Sequence, residues 1–318
     1  MVLFSLVATV HAAGVHHYIF FNRDRERIRD AAFLSTSGIE GAQLKYTWRE
    51  LERVKDQYDF SEIQRDLSFL QSKGKKLFIQ LQDASFATNI INVPTYLLQN
   101  AEYHGGADLQ YNIDADAEGP ATPQGWVARR WDPTVQQRFH RLLLALGRQF
   151  DGKIEGINLP ETAVDFGSSG KLFPKGFSLD SYRDAMLTNI AVLKRAFPRS
   201  VTMQYANFMP GGLGHLRQVY RSAREFQVGV GGPVLLPYRR WQMENSYPLI
   251  RELAGTIATG IAVQEDNYAQ QNPKTGRQVT IPELVEFATE YLQVDYIFWC
   301  TQEPYYSQKV IPLLAAQR

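Results

Sequence analysis

One feature constrains this chain more than any other: short β-rich runs and amphipathic helical runs alternate eight times. The strand-like runs are His17–Phe21, Gly41–Tyr46, Lys76–Gln82, Ile154–Leu159, Val201–Ala206, Val228–Leu236, Ile257–Val263 and Tyr296–Cys300. After each comes a segment with apolar residues at three- and four-residue spacing, the signature of a helix with one buried face. These helices are expected over Asp24–Leu34, Phe60–Ser72, Asp132 to about Phe150, Leu179–Ala196, His215–Glu225, Tyr247–Ala254, Glu283–Leu292 and Ser307–Ala316. Local punctuation agrees. Pro133 follows Asp132 at the first helical position, Ser178 precedes Leu179 as an N-cap, and Thr280-Ile281-Pro282-Glu283 has the spacing of a capping box. Parallel strands need helical crossovers, and eight in a row predict an α/β fold, a single (β/α)8 barrel. An open doubly wound sheet is the competing fold. It is disfavoured because no Gly-rich nucleotide turn follows the first strand.

Composition narrows the function classes. The 318 residues carry 34 Lys+Arg against 33 Asp+Glu, a formal charge of +1, so no bulk field recruits nucleic acid. Cys300 is the single cysteine, which excludes an internal disulfide and a cysteine zinc site. Val2–Ala13 is apolar, too short to span a bilayer, and ends in small residues like the end of a secretory signal peptide, although a charged start is missing. The expectation is a signal remnant over residues 1–13, a barrel over 14–318, and a secreted or periplasmic protein with no membrane span. A ragged first strand is the plainer reading of the same residues.

In such a barrel the reactive groups sit where strands end and βα loops begin. That rule collects Trp48, Gln82, Asp83, Glu161, Tyr205, Asn207, Tyr238, Glu265, Tyr268, Trp299 and Glu303 on one rim. Glu161 and Glu265 end the fourth and seventh predicted strands. Two carboxyls there can divide labour, one protonated to donate to a leaving oxygen, the other ionised. Glycoside hydrolysis uses such a pair, and Tyr and Trp suit sugar rings. Acidic residues also occur on the rim of any barrel, so either Glu alone says little.

Trp48-Arg49-Glu50-Leu51-Glu52, Gln57-Tyr58-Asp59-Phe60, Gly74–Gln80 and Gln149–Glu161 together resemble the second to fourth units of clan A glycoside hydrolases, (β/α)8 retaining enzymes. The resemblance implies that Glu161 is the acid/base, Glu265 the nucleophile and Trp299 the floor of the sugar site. Tyr205 would then steady the nucleophile. Retention implies carboxyls roughly 5–5.5 Å apart. The chain departs from the clan in having Pro160, not Asn, directly before Glu161. Asn158 points away from Glu161 on a regular strand. A substrate altered at its 2-position is therefore expected, or Gln82 or Asn207 in place of the missing Asn.

Other candidates are weaker. His16-His17 lacks a third metal ligand at suitable spacing, and Gly167-Ser168-Ser169-Gly170-Lys171 lacks the full phosphate-loop pattern. The sequence calls for no cofactor and no metal. Glu303 is an alternative second carboxylate, and Asp83 with Glu161 another pair. Tyr103, Trp126 and Trp131 lie in a long stretch after the third strand that could wall a glycan cleft. The expectation is a retaining glycosidase acting on an oligo- or polysaccharide. A catalytically silent glycan-binding or assembly barrel is the alternative.

Overall fold

The structure, a computed structural model, describes residues 14–22, 24–112, 121–167 and 169–316. Eight strands close into an all-parallel barrel: β1 (His16–Phe20), β2 (Gly41–Thr47), β3 (Lys76–Gln82), β6 (Gly156–Leu159), β7 (Val201–Tyr205), β8 (Gly229–Gly232), β9 (Thr259–Val263) and β10 (Tyr296–Cys300). Neighbours in the chain are neighbours in the barrel, and β1 pairs with both β2 and β10 to close it. The fold is therefore the single (β/α)8 barrel that the eightfold alternation predicts. Two strands fall outside it. Within the stretch expected to be irregular, β4 (Ala107–Asn112) and β5 (Thr122–Ala128) form an antiparallel hairpin. The apolar segment Val2–Ala13 lies outside the described residues.

Helices wrap the barrel where the apolar spacing predicts them. Asp132 caps Pro133–Phe150 by accepting from the Thr134 and Val135 amides at 2.9 and 3.4 Å. Capping boxes open Leu179–Ala196 from Ser178 and Ile281–Glu286 from Thr280. Each satisfies amides that the first helical turn cannot pair internally. The expected helix Asp24–Leu34 differs. It is a 3-10 turn, Arg25–Arg29, then a short helix, Ala31–Ser35.

Strand alternation fixes what enters the barrel. At its lower end the rings of Tyr18, Phe78, Tyr296 and Phe298 pack with centroids 5.0–6.1 Å apart. Rings of this size fit because the neighbouring strands offer glycine at the same register. A Cβ on Gly156 would stand 2.6 Å from Phe78, and one on Gly41 2.6 Å from Tyr18. Above the rings the interior turns polar: the Gln43 amide donates to Asn158 at 2.9 Å and to the Tyr205 hydroxyl at 3.0 Å. Aromatic packing thus closes the bottom of the barrel, and hydrogen-bonding groups face its mouth. Gly156→Ala should lose about 1–3 kcal/mol of stability through overpacking, read as a lower urea midpoint; an unchanged midpoint would contradict this packing.

Candidate active site

A cleft of about 720 Å3 opens at the C-terminal ends of the strands. This is within the usual range for small-molecule sites. Its wall includes Thr47 from the end of β2, Gln80 and Gln82 from β3, Tyr205 from β7, Gln264 just past β9, and Glu161 just past β6. On the rim, Phe86 is 59% exposed.

Glu161 is set in place through its neighbours. Gln204 donates to the Pro160 carbonyl at 2.6 Å. Arg130 donates from Nη1 to the Glu161 carbonyl at 2.9 Å and to the Tyr182 hydroxyl at 2.8 Å. The same guanidinium grips both oxygens of Asp83, at 2.6 and 2.9 Å. The Tyr182 hydroxyl in turn donates a hydrogen bond to the Thr162 carbonyl at 3.0 Å. Arg130 and Asp83 are both buried. A buried charge requires a partner, and the two-pronged pairing supplies one. The Asn207 oxygen accepts the Phe208 amide at 2.8 Å, which aims its NH2 outward, and Asn207 bonds the Glu161 carboxyl. Burial pushes that carboxyl up to about 7, with the Asn207 bond and the Arg130 charge pulling back. A carboxyl of this kind carries a proton near neutrality and can give it up.

The expected rim residues separate into those that reach the cleft and those that do not. Gln82 and Tyr205 line it, and Asn207 stands behind Glu161. Asp83 is committed to Arg130, and Asn158 is enclosed in the barrel with Gln43. Trp48 is fully buried, its indole N–H donating to Glu52 at 2.9 Å. Trp299 is fully buried as well and donates to His17 Nδ1 at 3.1 Å. In this structure neither indole offers a face to a sugar. Trp299 lies one residue out of phase with Phe298 and Cys300, so it points toward the helices. Tyr268 is buried and donates to the Cys300 carbonyl at 3.1 Å. Tyr238 lines a separate surface hollow with Arg239 and Asp266. Glu303 accepts from Ser307 at 2.6 Å and pairs with Arg27, away from the cleft.

Glu265 is an exposed residue on the 3-10 turn Glu265–Ala269 and does not line the cleft that Glu161 lines. β9 ends at Val263, and the chain passes directly into that turn. The Asn267 side chain accepts from the Gln264 amide at 2.8 Å and holds the turn so that Gln264, rather than Glu265, enters the wall.

Sequence reasoning passes over Arg130, Gln80, Gln264 and Phe86. The first three are legible only once the barrel is closed, because Arg130 comes from the loop after the hairpin and the two glutamines from inward strand positions. The loop that carries Phe86 is fastened to the hairpin: Ser85 donates its amide to the Trp126 carbonyl at 2.7 Å, and the Trp126 indole donates to Thr88 at 2.8 Å. So Trp126 braces the cleft wall from behind. Trp131 packs against Phe166 and Phe177, and Tyr103 against Tyr96.

No family model matches this chain, and no curated protein matches its sequence. Solved structures do match. A β-galactosidase from Bacillus circulans sp. alkalophilus aligns over 91% of this chain and 50% of its own, with TM-score 0.55 and 12% identity. A GH36 α-galactosidase from Geobacillus stearothermophilus, in complex with stachyose, aligns over 94% and 41%, with TM-score 0.50 and 9% identity. Both are glycoside hydrolases. This chain spans half or less of the length of each, and at such identities the likeness is one of fold.

Arg130 ties four segments together, and its loss should be felt in stability. Arg130→Gln should cost about 3–5 kcal/mol because Asp83 is left buried and unpaired. Adding Asp83→Asn should restore part of that loss, measured by urea unfolding of both variants. Additive losses would contradict the coupling.

Proposed function

We propose that the protein is a glycoside hydrolase with Glu161 as its acid/base. The observation that carries this reading is a carboxyl set in the wall of a strand-end cleft, with its proton affinity raised to about 7. The glycosidase folds of the structural neighbours support it. In the reaction Glu161 protonates the leaving oxygen and, once ionised, takes a proton from the incoming water. Asn207 steadies the ionised form by donating to it, and Arg130 fixes the backbone from which it projects. Gln82, Tyr205 and the rim ring of Phe86 offer polar and stacking contacts to the glycan. The nucleophile role expected for Glu265 is not part of this reading, which rests on Glu161 alone; Glu265 is exposed on the turn after β9 and is not among the residues lining the cleft. No described helix is long and apolar enough to cross a membrane. Export of a mature barrel beginning near residue 14 is proposed from the apolar start alone.

A glycan-binding barrel without turnover is the second reading. It is favoured by one observation: Gln264, rather than a carboxylate, enters the wall at the end of β9. A panel of aryl glycosides and oligosaccharides separates the two readings. Glu161→Gln should lower kcat by about 10²–10⁴-fold while glycan binding persists. In the wild type kcat/KM should fall as pH rises through about 7, because the protonated carboxyl is the donor. Binding with no turnover of any substrate in the wild type would favour the silent barrel.

The raised proton affinity also bears on stability. The native carboxyl holds its proton to about 7, whereas in the unfolded chain it ionises near its ordinary value. Wild-type stability should therefore fall as pH rises between those values. Glu161→Gln, which cannot ionise, should be more stable than wild type at pH 8 by about 2 kcal/mol and no more stable at pH 4. Thermal unfolding at the two pH values checks this. Equal stability gaps would contradict it.

A further inference from the structure

We propose that the substrate is a 2-acetamido-2-deoxy glycoside whose own acetamido oxygen is the nucleophile, with that group held between Gln80 and Tyr205. The inference rests on the hydrolase reading above and names its substrate class. Three observations carry it.

The first is the carboxylate inventory of the wall. Among the described residues that line the cleft, the carboxylates other than Glu161 are Glu26, Glu50 and Glu62. Glu50 accepts the Thr47 amide at 3.0 Å as part of a helix cap. Glu62 is paired with Arg25, and the Glu26 side chain is 94% exposed beside Arg29. None of these three projects from the end of a strand opposite Glu161, and Glu265, exposed after β9, is not among the lining residues. A 2-acetamido group carries its own nucleophile within reach of the anomeric carbon, so a retaining reaction in this cleft would need none of them.

The second is an unpartnered acceptor. Gln80 is 5% exposed, lines the cleft between its register neighbours Lys45 and Asn158, and its Oε1 has no hydrogen-bond partner. A buried acceptor without a donor is costly, and a ligand N–H relieves it. The amide N–H of an acetamido group is such a donor. The third is a spare proton. The Tyr205 hydroxyl accepts from Gln43 at 3.0 Å, which leaves its own O–H to donate into the cleft. Burial pushes its pKa up, so the proton stays on. An acceptor for N–H and a donor for C=O are what one acetamido group requires, and the pair would turn its carbonyl oxygen toward the anomeric carbon.

The chemistry balances without a cofactor. The acetamido oxygen forms a bond to the anomeric carbon as the bond to the leaving oxygen breaks, and that oxygen takes the Glu161 proton. The cyclic oxazolinium ion then faces an ionised Glu161. Water adds to the anomeric carbon and gives its proton to Glu161, while the ring C–O bond breaks and its electron pair returns to the acetamido group. Two inversions leave the configuration retained.

The test uses the purified full chain and matched aryl glycosides bearing 2-hydroxyl, 2-acetamido or 2-trifluoroacetamido groups in gluco and galacto configurations. The 2-acetamido compounds should be cleaved at least ~100-fold faster than the 2-hydroxyl ones. Fluorination, which weakens the internal nucleophile, should lower kcat about 100-fold. Tyr205→Phe should lower kcat by about 10²-fold with KM little changed and folding intact by circular dichroism. Faster cleavage of 2-hydroxyl substrates, or kcat indifferent to fluorination, would overturn the proposal and leave the hydrolase reading standing. Loss of turnover in a folded Glu265→Gln variant would do the same. Turnover of none of the compounds would overturn both.

Discussion

A single buried guanidinium organises the mouth of this barrel. Arg130 reaches the site from the loop after the β4–β5 hairpin and joins Asp83 at the end of β3, the carbonyl of Glu161 after β6, and Tyr182 on the helix Leu179–Ala196. Each contact satisfies a group that burial would otherwise leave wanting. That network fixes the backbone from which Glu161 projects. Burial raises the proton affinity of its carboxyl, and the nearby Arg130 charge moderates the shift. In the proposed function, stability and chemistry are coupled because the same residues would serve both.

The barrel beneath supplies a firm base. Aromatic rings fill its lower end, with glycines on adjacent strands making room for them. The Gln43–Asn158–Tyr205 hydrogen bonds then mark the change from packed core to polar cleft. Strand alternation carries both layers, so a side chain's position along a strand decides whether it packs, reads a ligand or faces the helices.

That same alternation explains how far the sequence was legible. The eight strand–helix units were readable because period-two and period-3.6 patterns are local, and so were the caps at Asp132, Ser178 and Thr280. The hairpin has no comparable local signal, because its strands pair across the segment 113–121 and Pro123 and Gly125 dilute the β pattern. At the site, proximity to a strand end located Glu161, Gln82, Tyr205 and Asn207. It misled at Trp48, Tyr268 and Trp299, where an aromatic residue at a strand end is packed outside the cleft. After β9 the residue lining the cleft is Gln264, and Glu265 stands exposed on the turn that follows. Arg130 carried no local signal, because its partners are 31 to 52 residues away in the chain.

The account depends on one group being held protonated near neutrality, and that property can be observed without a substrate. Carboxyl-carbon NMR of glutamate-labelled protein, with Glu161 assigned by difference against Glu161→Gln, reads its titration directly. A midpoint near 7 agrees with the desolvated carboxyl described here. A midpoint at the ordinary glutamate value would show a solvated group with no special claim to proton transfer, and the proposed chemistry would lose its donor.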